Sequence, residues 1–229
     1  MRTSPKRLTL PFLSLPLLLL AAGGAGAEPA AGGPVARDPV EVRKIERRAF
    51  AGEAEKLHAD LSFGGLTVEG ADGRDVEVEV TIQCSRQDLE KCRLRAERIR
   101  LRPRMKKGTL VVKLKNTPRG RMQGLKARML LRVPRRLALD INVRGGGVWV
   151  GGMESDVEID SLAGDVDLTH RRDLVAAVKV DVGVGDADLW LADSRVKGHG
   201  FPRTLRWYGS GAAQINVDVG TGDVAVRLE

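Results

Sequence analysis

Val178-Lys179-Val180-Asp181-Val182-Gly183-Val184-Gly185-Asp186 returns 37 positions later as Ile215-Asn216-Val217-Asp218-Val219-Gly220-Thr221-Gly222-Asp223. In both copies apolar and polar residues alternate up to a glycine corner, and alternation resumes after it. Period-two alternation is the pattern of a half-buried strand. Glycine suits a corner because it tolerates φ > 0, and aspartate can hydrogen-bond the backbone of the turn. An earlier copy over 157–168 precedes the middle one by 21 positions, and a fainter one over 139–150 lies 18 before that. A spacing of 37 is about twice 18 and predicts one degenerate unit near 196–208. Periodicity of this size predicts an all-β, solenoid-like stack, because a unit that cannot bury its apolar face alone must stack on its neighbours. Val178, Val180, Val182, Ile215, Val217 and Val219 are the predicted inward residues.

Working toward the N-terminus, Leu57-His58-Ala59-Asp60-Leu61 and Gly64-Gly65-Leu66-Thr67-Val68 follow the same outline and predict a related coil. Val76, Val78 and Val80 alternate with Glu77, Glu79 and Thr81, another half-buried strand. Residues 88–98 are the single helix candidate, with Leu89, Cys92 and Ala96 as its apolar stripe. Three strands are expected at 99–105, 109–115 and 125–133. Cys84 and Cys92 fit a disulfide in an oxidising compartment. A continuous helix through 84–92 would hold their Cα atoms about 12 Å apart at ~1.5 Å per residue, beyond the ~7 Å limit of a bridge. Either the helix starts near Asp88 and residues 85–87 fold back, which the bridge requires, or the thiols stay apart.

Arg2, Lys6 and Arg7 precede an apolar stretch at 8–22, and Ala25-Gly26-Ala27 supplies a small-x-small cleavage pattern. Residues 1–27 read as a signal peptide, since a stretch of 15 residues falls short of the roughly 20 that span a bilayer. Residues 28–40, rich in Pro, Gly and Ala, read as a flexible tether. Residues 41–229 then form one domain, with a basic part at 41–138 and the regular repeats at 139–229. The expected location is exported: periplasm, cell surface or secreted. The net charge of +8 conceals a split, for residues 28–139 carry 26 basic and 15 acidic residues while 140–229 carry 9 and 15. Such a division suggests internal electrostatic docking or a polyanionic partner.

Residues 41 to the C-terminus resemble the bacterial putative-adhesin domains of unknown function, extracytoplasmic and β-solenoid-like. The resemblance is carried by Arg128-Met129-Leu130-Leu131-Arg132-Val133-Pro134, by Gly146-Gly147-Val148-Trp149-Val150, by the Gly-Asp-Val and Gly-Asp-Ala turns, and by Gly220-Thr221-Gly222-Asp223-Val224-Ala225-Val226. It implies a non-enzymatic role in adhesion or envelope interaction and brings no catalytic residues with it. The cysteine pair and the arginine-rich middle depart from the usual pattern.

Candidate sites follow from residue type and spacing. His58, His170 and His199 form no metal-binding spacing, and Gly209-Ser210-Gly211 is not a nucleophile elbow. No cofactor, metal or catalytic residue is expected. The carboxylates Asp156/Glu158/Asp160, Asp165/Asp167 and Asp186/Asp188 face outward. They are either a solvated face or, stacked, the cluster of a polysaccharide-active β-helix enzyme, which is the alternative reading. Arg98, Arg100, Arg102, Arg104, Lys113, Lys115, Lys126, Arg128 and Arg132 would form one basic face if their three strands are neighbours. Acidic glycans, lipopolysaccharide or an anionic membrane surface would suit it. Nucleic acid would not, because no aromatic residues interleave to stack bases. Trp149 and Trp190 interrupt the alternation, point away from the core, and serve either packing or stacking on a sugar ring. Aligning the repeats places Trp149 over Asp167 and Asp188, and Trp190 over Thr169.

Overall fold

The structure, a computed structural model, describes residues 39–50, 54–117 and 124–229. The expected signal peptide at 1–27 and the expected tether as far as residue 38 lie outside the described residues, and Val40, assigned to the tether, begins the first strand. The described chain is mostly β, with one short helix. Its strands are β1 (Val40–Phe50), β2 (Lys56–Leu61), β3 (Gly65–Ala71), β4 (Asp75–Cys84), β5 (Arg100–Leu101) and β6 (Arg104–Lys106). Then come β7 (Thr109–Lys115), β8 (Leu125–Pro134), β9 (Ala138–Val143), β10 (Val148–Met153), β11 (Val157–Ala163) and β12 (Val166–His170). The series ends with β13 (Val175–Val184), β14 (Ala187–Leu191), β15 (Arg195–Lys197), β16 (Arg203–Tyr208), β17 (Ala213–Thr221) and β18 (Val224–Leu228). The helix is α1 (Leu89–Ala96).

Two open, mixed sheets result. The first runs β1-β4-β8-β3-β10-β12-β18-β14-β15, and the second β16-β13-β17-β11-β9-β2-β7-β5, with β6 also on β7. In the middle of each, strands are parallel and in register. Val178, Val180 and Val182 lie beside Ile215, Val217 and Val219, so the two quoted copies are direct neighbours. All six residues are buried, as expected. The N-terminal copy behaves alike: Leu57 pairs with Leu139, and Leu66 with Val148. The inward side chains of both sheets meet in one aliphatic cluster. Each buried Val, Leu or Ile contributes roughly 1.5–3 kcal/mol relative to exposure.

The order of the units departs from the order of the chain. Each pair β2–β3, β9–β10, β11–β12, β13–β14 and β17–β18 places one strand in each sheet, joined by a glycine corner. The last pair sits between β11–β12 and β13–β14. The degenerate unit expected near 196–208 is present but reversed: β15 and β16 add one strand to each sheet and run antiparallel along the outer edges of β14 and β13. The spacing of 37 thus arises from one unit plus an end hairpin.

The corners explain the glycines. Gly64, Gly146, Gly164, Gly222 and Gly185 have φ between +121° and +141° and stand in a column. A Cβ on Gly146 would lie 1.9 Å from the Gly64 carbonyl oxygen, one on Gly164 2.1 Å from that of Gly146, and one on Gly222 2.3 Å from that of Gly164. No side chain fits between the units at this column.

The aspartates that follow do more than cap their own turn. Asp165 Oδ1 accepts from the Asp223 backbone N–H at 3.0 Å, and Asp223 Oδ1 accepts from that of Asp186 at 2.8 Å. Each carboxylate therefore fastens the next unit. Asp186 has no next unit, and its carboxylate pairs with Arg203 of the end hairpin at 3.1 Å.

Cys84 and Cys92 are bridged, with Cα atoms 5.9 Å apart. Residues 86–88 form a 3-10 turn, capped by Ser85 on the Gln87 N–H, before α1 begins. This fold-back is what the bridge required. Arg43 of β1 donates to the carbonyls of Ala96 and Ile99 at 2.7 and 3.0 Å, which ties the end of α1 to the first sheet. The expected strand at 99–105 is broken into β5 and β6 around Pro103, which has no N–H for a ladder.

Candidate binding surfaces

The nine cations do not share one face. β7 belongs to the second sheet and β8 to the first. Arg98, Arg100, Arg102, Arg104, Lys113 and Lys115 gather on and beside β5, β6 and β7, at an edge of the second sheet. Arg100 lies opposite Lys115, and Arg104 opposite Val111. Lys126, Arg128 and Arg132 line the outer side of β8 in the other sheet. Arg132 is held by Glu69 at 3.1 Å. Among the described residues none of the six edge cations has an ion-pair partner, although Arg100 donates to nearby backbone carbonyls. Lys106 and Lys107, at the turn from β6 to β7, are exposed in the same region. The sequence pattern found these residues; it missed that the chain crosses between sheets from β7 to β8.

The cations that dock on the acidic repeats are different ones. Arg195 forms a two-pronged pair with Asp188, one prong at 2.9 Å, and this carboxylate raises the arginine's pKa. Arg203 takes Asp186, and Arg227 takes Asp167. Lys179 sits 2.8 Å from Asp181. That lysine first, and then the Thr204 hydroxyl at 2.9 Å, lower the Asp181 pKa against a burial penalty. Lys56 bridges Asp140 and Glu158 at 3.2 and 3.0 Å. Internal docking thus exists, supplied by the end hairpin and by lone cations within the stack.

The carboxylate pairs fall on opposite faces. Asp165, Asp167, Asp186 and Asp188 border a shallow trough of about 480 Å³ on the first sheet. Glu158 and Asp160 lie on the second sheet. In the trough Asp167, Asp186 and Asp188 are taken by arginines, and Asp165 and Asp223 by backbone N–H groups. No group of three or more His, Cys, Asp or Glu fit for a metal occurs among the described residues. The histidines stay apart. His58 lies 3.2 Å from Asp140, His170 is buried with its ring nitrogens near the carbonyls of Arg171 and Ser155, and His199 is exposed in the hairpin.

Both tryptophans point outward, 41% and 40% exposed. Trp149 pairs in register with Asp167, and Asp188 lies two strands further on; Trp190 stands beside Arg227, with Thr169 next. Their surroundings differ. The Arg195 guanidinium lies 4.2 Å from the centre of the Trp190 ring, a cation–π contact that occupies one face. The Trp149 ring folds over Gly151, where a Cβ would come within 2.6 Å of the indole.

Neither a family model nor a curated protein sequence matches this chain. Among solved structures it is similar to a putative cell adhesion protein from Clostridium sporogenes, with a TM-score of 0.50 and 13% identity over 84% of this chain and 100% of that one. Weaker likenesses, with TM-scores of 0.24 and 0.25, are to a putative adhesin from Bacteroides fragilis (12% identity; 80% and 97% covered) and a putative lipid binding protein from Parabacteroides distasonis (8%; 81% and 96%). The resemblance to the putative-adhesin domains, drawn above from the repeats, is shared at the level of the fold.

Proposed function

We propose that this chain is an exported, non-enzymatic domain for adhesion or envelope interaction, built as a solenoid-like stack, and that its basic edge binds polyanions. The observation that carries the reading is the set Arg98, Arg100, Arg102, Arg104, Lys113 and Lys115. These cations crowd one sheet edge without ion-pair partners among the described residues, whereas six of the nine cations at 140–229 are in ion pairs. Unneutralised cations on a protein surface attract anionic polymers and steer their approach. The in-register parallel strands and the glycine column support the stack. The structural partners of the trough carboxylates support a binding role over the polysaccharide-cleaving alternative. Acidic glycans and lipopolysaccharide are the ligands whose charge fits, at the periplasmic or outer surface.

The test is retention on heparin and on immobilised lipopolysaccharide. Replacing Arg100, Arg102 and Arg104 with Gln lowers the salt needed for elution, since exposed charges act over about 8 Å at physiological ionic strength. Arg128→Gln, on the other sheet, leaves elution nearly unchanged. The unfolding midpoint of the triple variant stays near that of the parent, because exposed charges contribute about 0–1 kcal/mol each to folding. Unchanged elution of the triple variant refutes the reading.

A further inference from the structure

The outer face of the first sheet carries a second feature, and its charge is opposite to that of the basic edge. Across β3, β10, β12, β18 and β14 runs a row of outward residues in register: Thr67, Trp149, Asp167, Ala225 and Asp188. From Trp149 to Asp188 is three strand steps, about 14 Å at ~4.8 Å each. The trough of about 480 Å³ follows this row and the one beside it, where Gly65 and Gly147 leave the floor low at one end.

Three properties of the row define what can lie in it. The indole of Trp149 covers Gly151, a glycine buried on a face that is otherwise open to solvent. One side of the ring is thereby packed while the residue stays 41% exposed. The result is a fixed aromatic platform, and a ring held in place loses little further freedom when a ligand stacks on it. Beside the platform Asp167 and Asp188 are each clamped by an arginine, Arg227 and Arg195. Their remaining oxygen lone pairs are acceptors held in position for hydroxyl or amide donors. Finally, five aspartates and no lysine or arginine line the trough. Three of the five are paired with Arg227, Arg203 and Arg195, so the lining keeps only a small negative charge, which disfavours anionic ligands without demanding a cationic one.

We propose that Trp149 and this trough are a subsite for an uncharged saccharide chain, stacked by one ring on Trp149 and hydrogen-bonded through its hydroxyls to Asp167 and Asp188. Sugar rings combine an apolar face, which suits the indole, with a rim of donors, which suits fixed carboxylates. Trp190 is not part of the platform, since it does not line the trough and the Arg195 guanidinium lies over its ring. The site is separate from the basic edge, and either can fail without the other.

The experiment titrates the folded protein with four neutral hexasaccharides (chitohexaose, cellohexaose, xylohexaose and maltohexaose), and with the cationic hexamer of glucosamine and an acidic oligogalacturonate. Calorimetry and tryptophan fluorescence are the readouts. At least one neutral hexamer is expected to bind, and Trp149→Ala to weaken it about tenfold or more, a change of ~1.4 kcal/mol. Trp190→Ala changes affinity less than about twofold, well under that step. Ala225→Arg, which fills the trough without touching the platform, abolishes binding and serves if Trp149→Ala fails to fold. The variant with Arg100, Arg102 and Arg104 changed to Gln binds the neutral sugar as the parent does. Tighter binding of the acidic or the cationic chain, an equal loss in the two tryptophan variants, or no neutral binding up to about 10 mM each overturns the proposal.

Discussion

Replacing Gly222 with alanine tests whether the units are held together at the glycine column. Gly222 has φ +141° and lies in the unit inserted between β11–β12 and β13–β14. Its new Cβ would be 2.3 Å from the Gly164 carbonyl oxygen, more than 1 Å inside the ~3.5 Å of ordinary contact. The neighbouring units must part at that corner. Three hydrogen bonds cross there: Gly164 N–H to Thr221 O at 2.8 Å, Val166 N–H to Asp223 O at 2.9 Å, and Asp223 N–H to Asp165 Oδ1 at 3.0 Å. At about 1 kcal/mol each net, more for the charged acceptor, their loss removes roughly 3 kcal/mol. A backbone conformation unsuited to alanine costs a further ~1–3 kcal/mol. Gly73→Ala is the control, because Gly73 has φ +125° and nothing within 4 Å of an added Cβ. It bears the conformational cost alone. Equilibrium urea unfolding should therefore show Gly222→Ala less stable than Gly73→Ala by about 3 kcal/mol. That is a large share of the 5–15 kcal/mol of a typical domain. A difference below about 0.5 kcal/mol, within the usual scatter of surface substitutions, would refute the idea that close contact at the column holds the stack together.

Two further outcomes follow from the disulfide and from the end hairpin. Thiol titration of the unfolded, unreduced domain should find no free cysteine, and the Cys84→Ala/Cys92→Ala double variant should lose about 2–3 kcal/mol in urea unfolding; two titratable thiols would contradict the bridge. The Asp181 pKa is lowered from 3.8 in the folded state, by Lys179 first. Its ion pair therefore adds stability above the unfolded value, and that stability is lost as pH falls through the folded one. Asp181→Asn should flatten the fall in stability as pH drops below about 4 and leave the slope above pH 5 unaltered; an acid slope equal to the parent's would exclude this role.

Local regularities in the sequence were enough for several features. Alternation at 56–61, 175–184 and 213–221 announces strands because side chains on a strand switch faces at every residue. The glycines before Asp165, Asp186 and Asp223 announce corners because only a residue without Cβ fits a positive φ there. The bridge between Cys84 and Cys92 was legible because it concerns near neighbours in the chain. Trp149 and Trp190 were both recognisable as outward from the alternation alone.

The tertiary structure decided the partners. Every unit offers the same row of backbone donors and acceptors and nearly the same inward valines, so the repeat itself does not say which unit lies beside which. The insertion of β17–β18 between β11–β12 and β13–β14 depends on the hairpin of β15 and β16 taking the outer edges. The single basic face expected from Arg98 to Arg132 divided because β7 and β8 are neighbours in sequence but lie in different sheets. The two tryptophans parted for the same kind of reason. Gly151, two residues along its own strand, leaves room for Trp149 to lie flat, while Arg195 reaches Trp190 from the antiparallel strand beside it. Alternation determines which way a side chain points, but whether its outer face stays open depends on what the fold brings next to it.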